Sequence, residues 1–324
     1  MERRDFITLI GGAAAWPVAA RAQLTTRIPR VGIISPAESN TTPIFQAFRQ
    51  GLRERGYVEG LNIALEFRLA RFDYSAFPRL VAELLSIPVD VIVTDGGPGP
   101  VRIIKEANNQ IPVVMGAGPD PVALGLAQSL ARPGGNVTGF TLMPDLTVKR
   151  VDLLRTAFPD ATRITVLLNP SNEGSEGTFR VTEQAARSVG VATSRLEAAD
   201  PEQLRMIDPA RLANIPMLVI NDAMFWNYRR DILKLVVSAR VPAIYPEREY
   251  ADDGGLIAFG PNVTDNFRRA AVYVDQILKG ARAGDLPIQQ PAKFDFVVNL
   301  KTARAMGITI APAILVRADE VIEL

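Results

Sequence analysis

Five carboxylates stand where alternating strands and helices would place loop ends: Asp95, Asp120, Glu173, Asp222 and Glu247. Amide and hydroxyl donors lie among them in Asn169-Pro170-Ser171-Asn172 and at Asn221, with three large aromatics, Phe225, Trp226 and Tyr245. Histidine and cysteine are absent from all 324 residues. That excludes thiol nucleophiles, Ser-His-Asp triads, disulfides and His/Cys metal centres. No Asp-rich calcium loop is present either, so no metal is expected. Two chemistries remain. Asp120 and Glu247 could act as the acid and base of a hydrolase. Alternatively, the acids receive a ligand's ammonium group, while Asn169–Asn172 and adjacent helix N-termini receive a carboxylate. Tyr245, Phe225 and Trp226 would then stack on a planar or cationic part, with every ligand bond left intact. The bland alternatives are helix caps and solvated loops for the acids, and core packing for the aromatics.

The elements that must position these groups follow from periodicity. Arg30–Ser35 reads as a first strand, and Ile44, Phe45, Phe48 and Leu52 as one face of a helix. Ile63, Leu65 and Phe67 alternate like a half-exposed edge strand. Leu80, Val81, Leu84 and Leu85 mark a second helix, Val89–Val93 a buried strand, and Val101, Ile104 and Ala107 a third helix. Ile111–Met115 is a further buried strand, stopped by Gly116, Gly118 and Pro119. Asp120 and Pro121 read as the cap and first position of a helix with Leu124, Leu126, Ala127, Leu130 and Ala131 on its apolar face. This order implies a parallel sheet covered on both faces, with ligands beyond the carboxyl ends of its strands. The residues expected there are Ser35, Glu38, Thr94, Asp95, Gly96, Gly116, Asp120 and Pro121.

The same alternation restarts after Asn136–Phe140. Its strands are expected at Arg163–Leu168, Val191–Leu196, Met217–Ile220 and Val241–Tyr245, with Asn169, Ser171, Asn172, Glu173, Asn221, Asp222, Tyr245 and Glu247 at carboxyl ends. An amphipathic helix from Phe267 to Leu278 then returns to the first lobe. The expected division is 28–138 with 262–290 as lobe one, and 139–261 with 291–324 as lobe two. Hinge strands are expected around Asn136, Thr138 and Gly139, around Gly260 and Pro261, and near Pro291–Phe294. Nucleotide fingerprints fail. Gly116-Ala117-Gly118 would need glycine where Pro121 stands, Gly97-Pro98-Gly99 would need it at Arg102, and no phosphate-loop pattern occurs. No cofactor is expected.

Longer phrases carry a resemblance. DPVALGLAQSLARPGGNVTGF (120–140), VPAIYPEREYADDGGLIAFGPN (241–262), FRRAAVYVDQILKGARAGDLPIQQPAKFDFVVNLKTARAMGITI (267–310) and VRADEVIE (316–323) together resemble the periplasmic substrate-binding proteins of ABC transporters. Within that family the likeness is to the tryptophan/tyrosine-binding receptors, and it spans roughly Arg30 to Glu323. It implies an α/β, type I periplasmic-binding fold: two Rossmann-like lobes with parallel sheets, joined by three hinge strands. It also implies a monomeric receptor without enzymatic activity, which closes on a small amino-acid-like ligand and presents itself to an inner-membrane permease. A sensor subunit that presents the closed form to a signalling protein is the alternative. Where family members often carry a small Ser/Thr pair, this chain has Thr94-Asp95, which brings an acid close to the ligand.

The N-terminus reads as an export signal over residues 1–22. Arg3-Arg4 precedes an apolar stretch from Leu9 to Ala20, and Ala20-Arg21-Ala22 offers a small-x-small cleavage site. The twin arginine resembles the signal for export of folded proteins, so the expected location is the periplasm. A total of 36 Lys+Arg against 35 Asp+Glu, falling to formal neutrality without the signal, argues against nucleic acid as a partner. The length suits two lobes better than one core.

Overall fold

The computed structural model describes residues 27–323 apart from 109, 143, 144, 213, 214 and 292. The export-signal reading of residues 1–22 lies outside the described residues.

The chain first builds β1 (Arg30–Ser35), α1 (Pro43–Arg53), β2 (Ala64–Leu69), α2 (Phe77–Leu85), β3 (Val91–Thr94), α3 (Pro98–Ala107), β4 (Val113–Gly118) and β5 (Val137–Thr141). The five strands form one parallel sheet in the order β2-β1-β3-β4-β5. Both faces are covered, as alternate residues of β1 record. Ile33 joins a core with Phe45, Phe48 and Val93, and Ile34 joins another with Leu84, Ile92 and Ile104. β2, at the sheet edge, is half-buried throughout.

A second unit follows: α4 (Asp145–Ala157), β6 (Arg163–Leu168), α5 (Glu173–Ser188), β7 (Ala192–Glu197), α6 (Pro201–Arg205), β8 (Met217–Val219), α7 (Ala223–Asn227), α8 (Arg229–Ala239), β9 (Ala243–Tyr245), α9 (Arg248–Asp252) and β10 (Ile257–Pro261). The chain then goes back to the first sheet as α10 (Val263–Leu278), whose Phe267, Ala270 and Val274 sit in the Ile33 core. It crosses again into β11 (Phe294–Asn299), α11 (Leu300–Met306), α12 (Pro312–Leu315) and β12 (Glu320–Ile322). The second sheet runs β12-β11-β10-β9-β8-β6-β7, parallel except for the β10–β11 pair. Leu167, Val219, Ile244 and Phe225 lie in its one large core. Burying each such side chain contributes roughly 1.5–3 kcal/mol.

Two local expectations fail. β4 does not stop at Gly116. It continues to Gly118 with a register shift after Met115, because a bare Gly116 lets the Phe267 ring lie against the strand. The helix expected after Pro121 does not form. The Asp120 carboxylate does accept from the amides of Val122 (2.9 Å) and Ala123 (3.1 Å). But Leu126 and Ala127 both donate back to the Pro121 carbonyl, and Gly125 has φ +66°. One closed turn results, with Leu126 in the core and Leu124 facing out.

Thr138 and Gly139 lie inside the first sheet, and Asn136 immediately precedes β5. The Asn136 amide donates to the Ile111 carbonyl (2.8 Å), and the Thr138 hydroxyl to that of Leu286 (2.8 Å). Gly139 adopts φ +113°, and a Cβ there would overlap the Met115 backbone. The chain leaves this sheet after Thr141. The other crossings follow Pro261 and precede Phe294, which pair with each other in the β10–β11 ladder.

Candidate functional site

A cavity of about 380 Å³ lies between the two sheets' carboxyl ends, within the ~300–1,000 Å³ usual for small-molecule sites. Its first-lobe wall is Asp95, Gly96, Gly97 and Pro98 after β3, Gly118 at the end of β4 with Pro119 and Asp120 after it, and Ala37, Thr42 and Phe72. Its second-lobe wall is Leu146, Thr147 and Arg150 on α4, Asn172 and Gly174 at the start of α5, and Asn221, Asp222 and Trp226 around α7. Glu247 and Glu249 come from the start of α9, and Pro261 and Val263 close the hinge side.

Asp222 is the most connected group. It caps α7, accepting from the amides of Met224 (2.9 Å) and Phe225 (3.3 Å). It also accepts from the side-chain amides of Asn172 (2.8 Å) and Asn169 (3.3 Å), and from the Tyr74 hydroxyl (3.0 Å). Tyr74 belongs to the first lobe, so this last bond spans the cleft. Burial and the Asp222 charge raise the Tyr74 hydroxyl well above its ordinary range, so it keeps its proton and donates. Asp95 accepts from the Ser35 hydroxyl (3.0 Å). Burial pushes its carboxyl up to about 6, against the pull of Ser35 and the Gly96 amide.

Glu247 is buried, with one oxygen accepting from Asn221 and Oε2 without a partner. Removal from water pushes its carboxyl up to about 8, although the Arg150 guanidinium pulls the other way. Arg150 itself is 4% exposed. It donates from Nε to the Phe259 carbonyl (2.8 Å) and from Nη2 to that of Pro246 (3.4 Å). Burial brings it down to about 10, with Glu247 and Tyr250 opposing.

Of the expected residues, Asp95, Gly96, Asp120, Asn172, Asn221, Asp222 and Glu247 meet in this cavity. Others stand behind it or outside it. Ser35, Thr94 and Asn169 are buried, Ser35 and Asn169 holding Asp95 and Asp222. Gly116 and Pro121 are buried outside the lining. Tyr245 is fully buried and stacked on Tyr250 at 4.8 Å, and Phe225 is core. Glu38 and Ser171 face solvent. Glu173 is half exposed and forks onto Arg102 of the first lobe at 3.0 and 3.2 Å. Trp226 does reach the cavity, with Arg229 4.8 Å over its ring.

Sequence reading missed Phe72 and Arg150. Phe72 follows Arg71 in a pair with φ +51° and +66°, packs edge-on to Tyr228 at 5.7 Å, and so enters the other lobe's core. Arg150 had a signal: it lies four residues from both Leu146 and Leu154, in line with the apolar stripe of its helix.

Among the described residues no group of carboxylates is arranged to hold a metal ion. The site offers acids of both protonation habits, one buried cation, amide donors and an aromatic face. That set can hold a zwitterion with a ring.

The family model for ABC transporter substrate binding proteins matches residues 30–322. A tyrosine-binding protein of Clostridioides difficile is 24% identical over 262 residues, 81% of this chain and 75% of that protein. A domain from Streptococcus pneumoniae solved with L-Trp is 22% identical, with TM-score 0.79 over 91% of this chain and 99% of its own. A conserved domain protein from Vibrio cholerae is 24% identical, with TM-score 0.81 over 91% and 100%. The solved neighbours share the type I periplasmic-binding fold expected from the sequence.

Proposed function

Because the chain belongs to the ABC transporter substrate-binding proteins, which bind small molecules and are not enzymes, we propose that it is the exported receptor of an importer. In this reading it clamps an amino acid or amino-acid-like compound, aromatic ones included, between its lobes. The carrying observation is the cavity itself: Asp95, Asp120 and Glu249 suit an ammonium group, Arg150 and Asn172 an anionic one, and Trp226 a ring. The tryptophan and tyrosine named for two relatives support the same ligand class. Such substrate-binding proteins are typically extracytoplasmic, in keeping with an export signal at residues 1–22 and a membrane permease as the partner.

The mechanism needs no covalent step. An open form admits the ligand, contacts to both walls favour the closed form, and the permease recognises that shape. Asp120 holds its own turn, and its chemistry as half of an acid–base pair gives way to binding. A thermal-shift panel of amino acids, aromatic acids and short peptides on protein stripped of carried-over ligand tests the reading. Binding at a hundredfold excess over Kd gives about 2.7 kcal/mol of stabilisation. A panel in which no class moves the melting temperature defeats it.

A further inference from the structure

A buried guanidinium whose charge meets no carboxylate is expensive. The effective cost of an unpaired buried ion is several kcal/mol. Arg150 is in that position: among the described residues it forms no ion pair, and its two hydrogen bonds go to neutral backbone carbonyls from Nε and Nη2. No bond is made from Nη1 to a described residue, and Arg150 lines the cavity. The fold goes to some length to place it. Gly260 has no side chain because a Cβ there would overlap the Pro246 carbonyl and come within 3.2 Å of Nη2. The nearby Glu247 leaves Oε2 unpartnered while its other oxygen is occupied by Asn221. Glu247 therefore does not spend its charge on Arg150, and burial keeps it protonated at neutral pH.

We propose that Arg150 is the carboxylate seat of the cleft: the ligand is an organic acid whose carboxylate docks on this guanidinium, while any amino group it carries is held on the first-lobe wall by Asp95 and Asp120. Binding completes an ion pair that the empty protein lacks, and planar fork-to-carboxylate geometry favours arginine there over lysine. Glu247 adds a hydrogen-bonding neighbour instead of a competing anion. A phosphate dianion is a poor occupant, since its second charge would face the acids that ring the rest of the cavity.

This assignment rests on the solute-receptor reading, and its test is built to fail separately. L-tyrosine, tyramine and 3-(4-hydroxyphenyl)propionate are titrated calorimetrically at pH 7, with benzoate, phenylacetate, succinate and inorganic phosphate as further probes. The wild-type protein is expected to prefer the carboxylate-bearing partner over its matched amine by at least a hundredfold. Arg150→Met is expected to erase that preference, and Arg150→Lys, checked as folded by a cooperative ligand-free melt, to restore part of it. Carboxylates that bind while amino acids do not would retire the amino-acid reading and keep the seat. Tyramine binding wild type as tightly as tyrosine would overturn the seat and keep the receptor. So would tight phosphate binding, silence with every carboxylate, or a folded Arg150→Met form that holds its carboxylate within threefold.

Discussion

At Asp222 a single carboxylate satisfies two backbone amides, two side-chain amides and a hydroxyl. Asp222→Ala strands all of these donors, and hydrogen bonds to a charged group contribute about 1.5–3 kcal/mol each. The five share one carboxylate beside a cavity whose water can replace some of them, so they do not add, and the expected loss is at least about 3 kcal/mol of unfolding free energy, read by urea titration. Glu247 acts through its proton. Its folded carboxyl titrates near 8 and its unfolded one near 4.5, so between those values the folded protein binds the extra proton. Stability then falls as pH rises across that window, by up to about 1.4 kcal/mol per pH unit. Glu247→Gln should flatten the profile between pH 5 and 8 in thermal melts, and a slope that survives the substitution would contradict the assignment. These acids were visible in the sequence because each follows a short apolar run. Arg150 was not, because a cation on a helix is ordinarily a surface residue, and only its alignment with Leu146 and Leu154 hints otherwise.

Elements were legible where periodicity was strong and illegible where backbone conformation decided. The 3.6-residue pattern of Phe267 to Leu278 gives the carboxyl end of α10 and misses its first turn, where Asn262 caps a helix that starts at Val263. Asp120-Pro121 carried a correct cap signal, yet one left-handed glycine and one carbonyl accepting two amides closed the turn before a helix could propagate. β4 passed through two glycines because the Phe267 ring fills the room at Gly116 and the Met115 side chain that at Gly118, and the first of these is tertiary information. Gly139 is the sharpest case: its φ of +113° and its contact with the Met115 backbone leave no space for a side chain. Gly139→Ala should cost at least about 2 kcal/mol, since strain of this kind amounts to 1–3 kcal/mol even without overlap. Chemical denaturation measures it, and a neutral result would mean that β4 and β5 can part.

On the scale of the molecule, the two-lobe plan followed from alternating strands and helices, whereas the contacts across the cleft did not. Tyr74 and Asp222 are 148 residues apart, and no local pattern links them. Two bridges can be ranked by burial. The Arg102–Glu173 pair is half exposed on both sides and should matter little; Glu173→Gln is expected to change ligand Kd less than threefold. The buried Tyr74 bond exists only when the lobes meet. Tyr74→Phe should weaken binding about tenfold, near 1.4 kcal/mol. It should also enlarge the radius of gyration of the ligand-free protein in X-ray scattering. Equal radii for both forms would remove Tyr74 from any part in closure.

Phe72 has a consequence of a different kind. Its loop holds two consecutive non-glycine residues in left-handed backbone, each disfavoured by about 1–3 kcal/mol, and the ring's seat against Tyr228 offsets that. Were the lobes to part, the ring would leave that seat, and the bonds from the Phe72 amide to the Pro36 carbonyl (2.7 Å) and from the Arg71 amide to the Ala37 carbonyl (3.3 Å) would hold the loop without it. How readily the two lobes separate should then depend partly on Phe72 and Tyr228, an uncharged pair beside the acids.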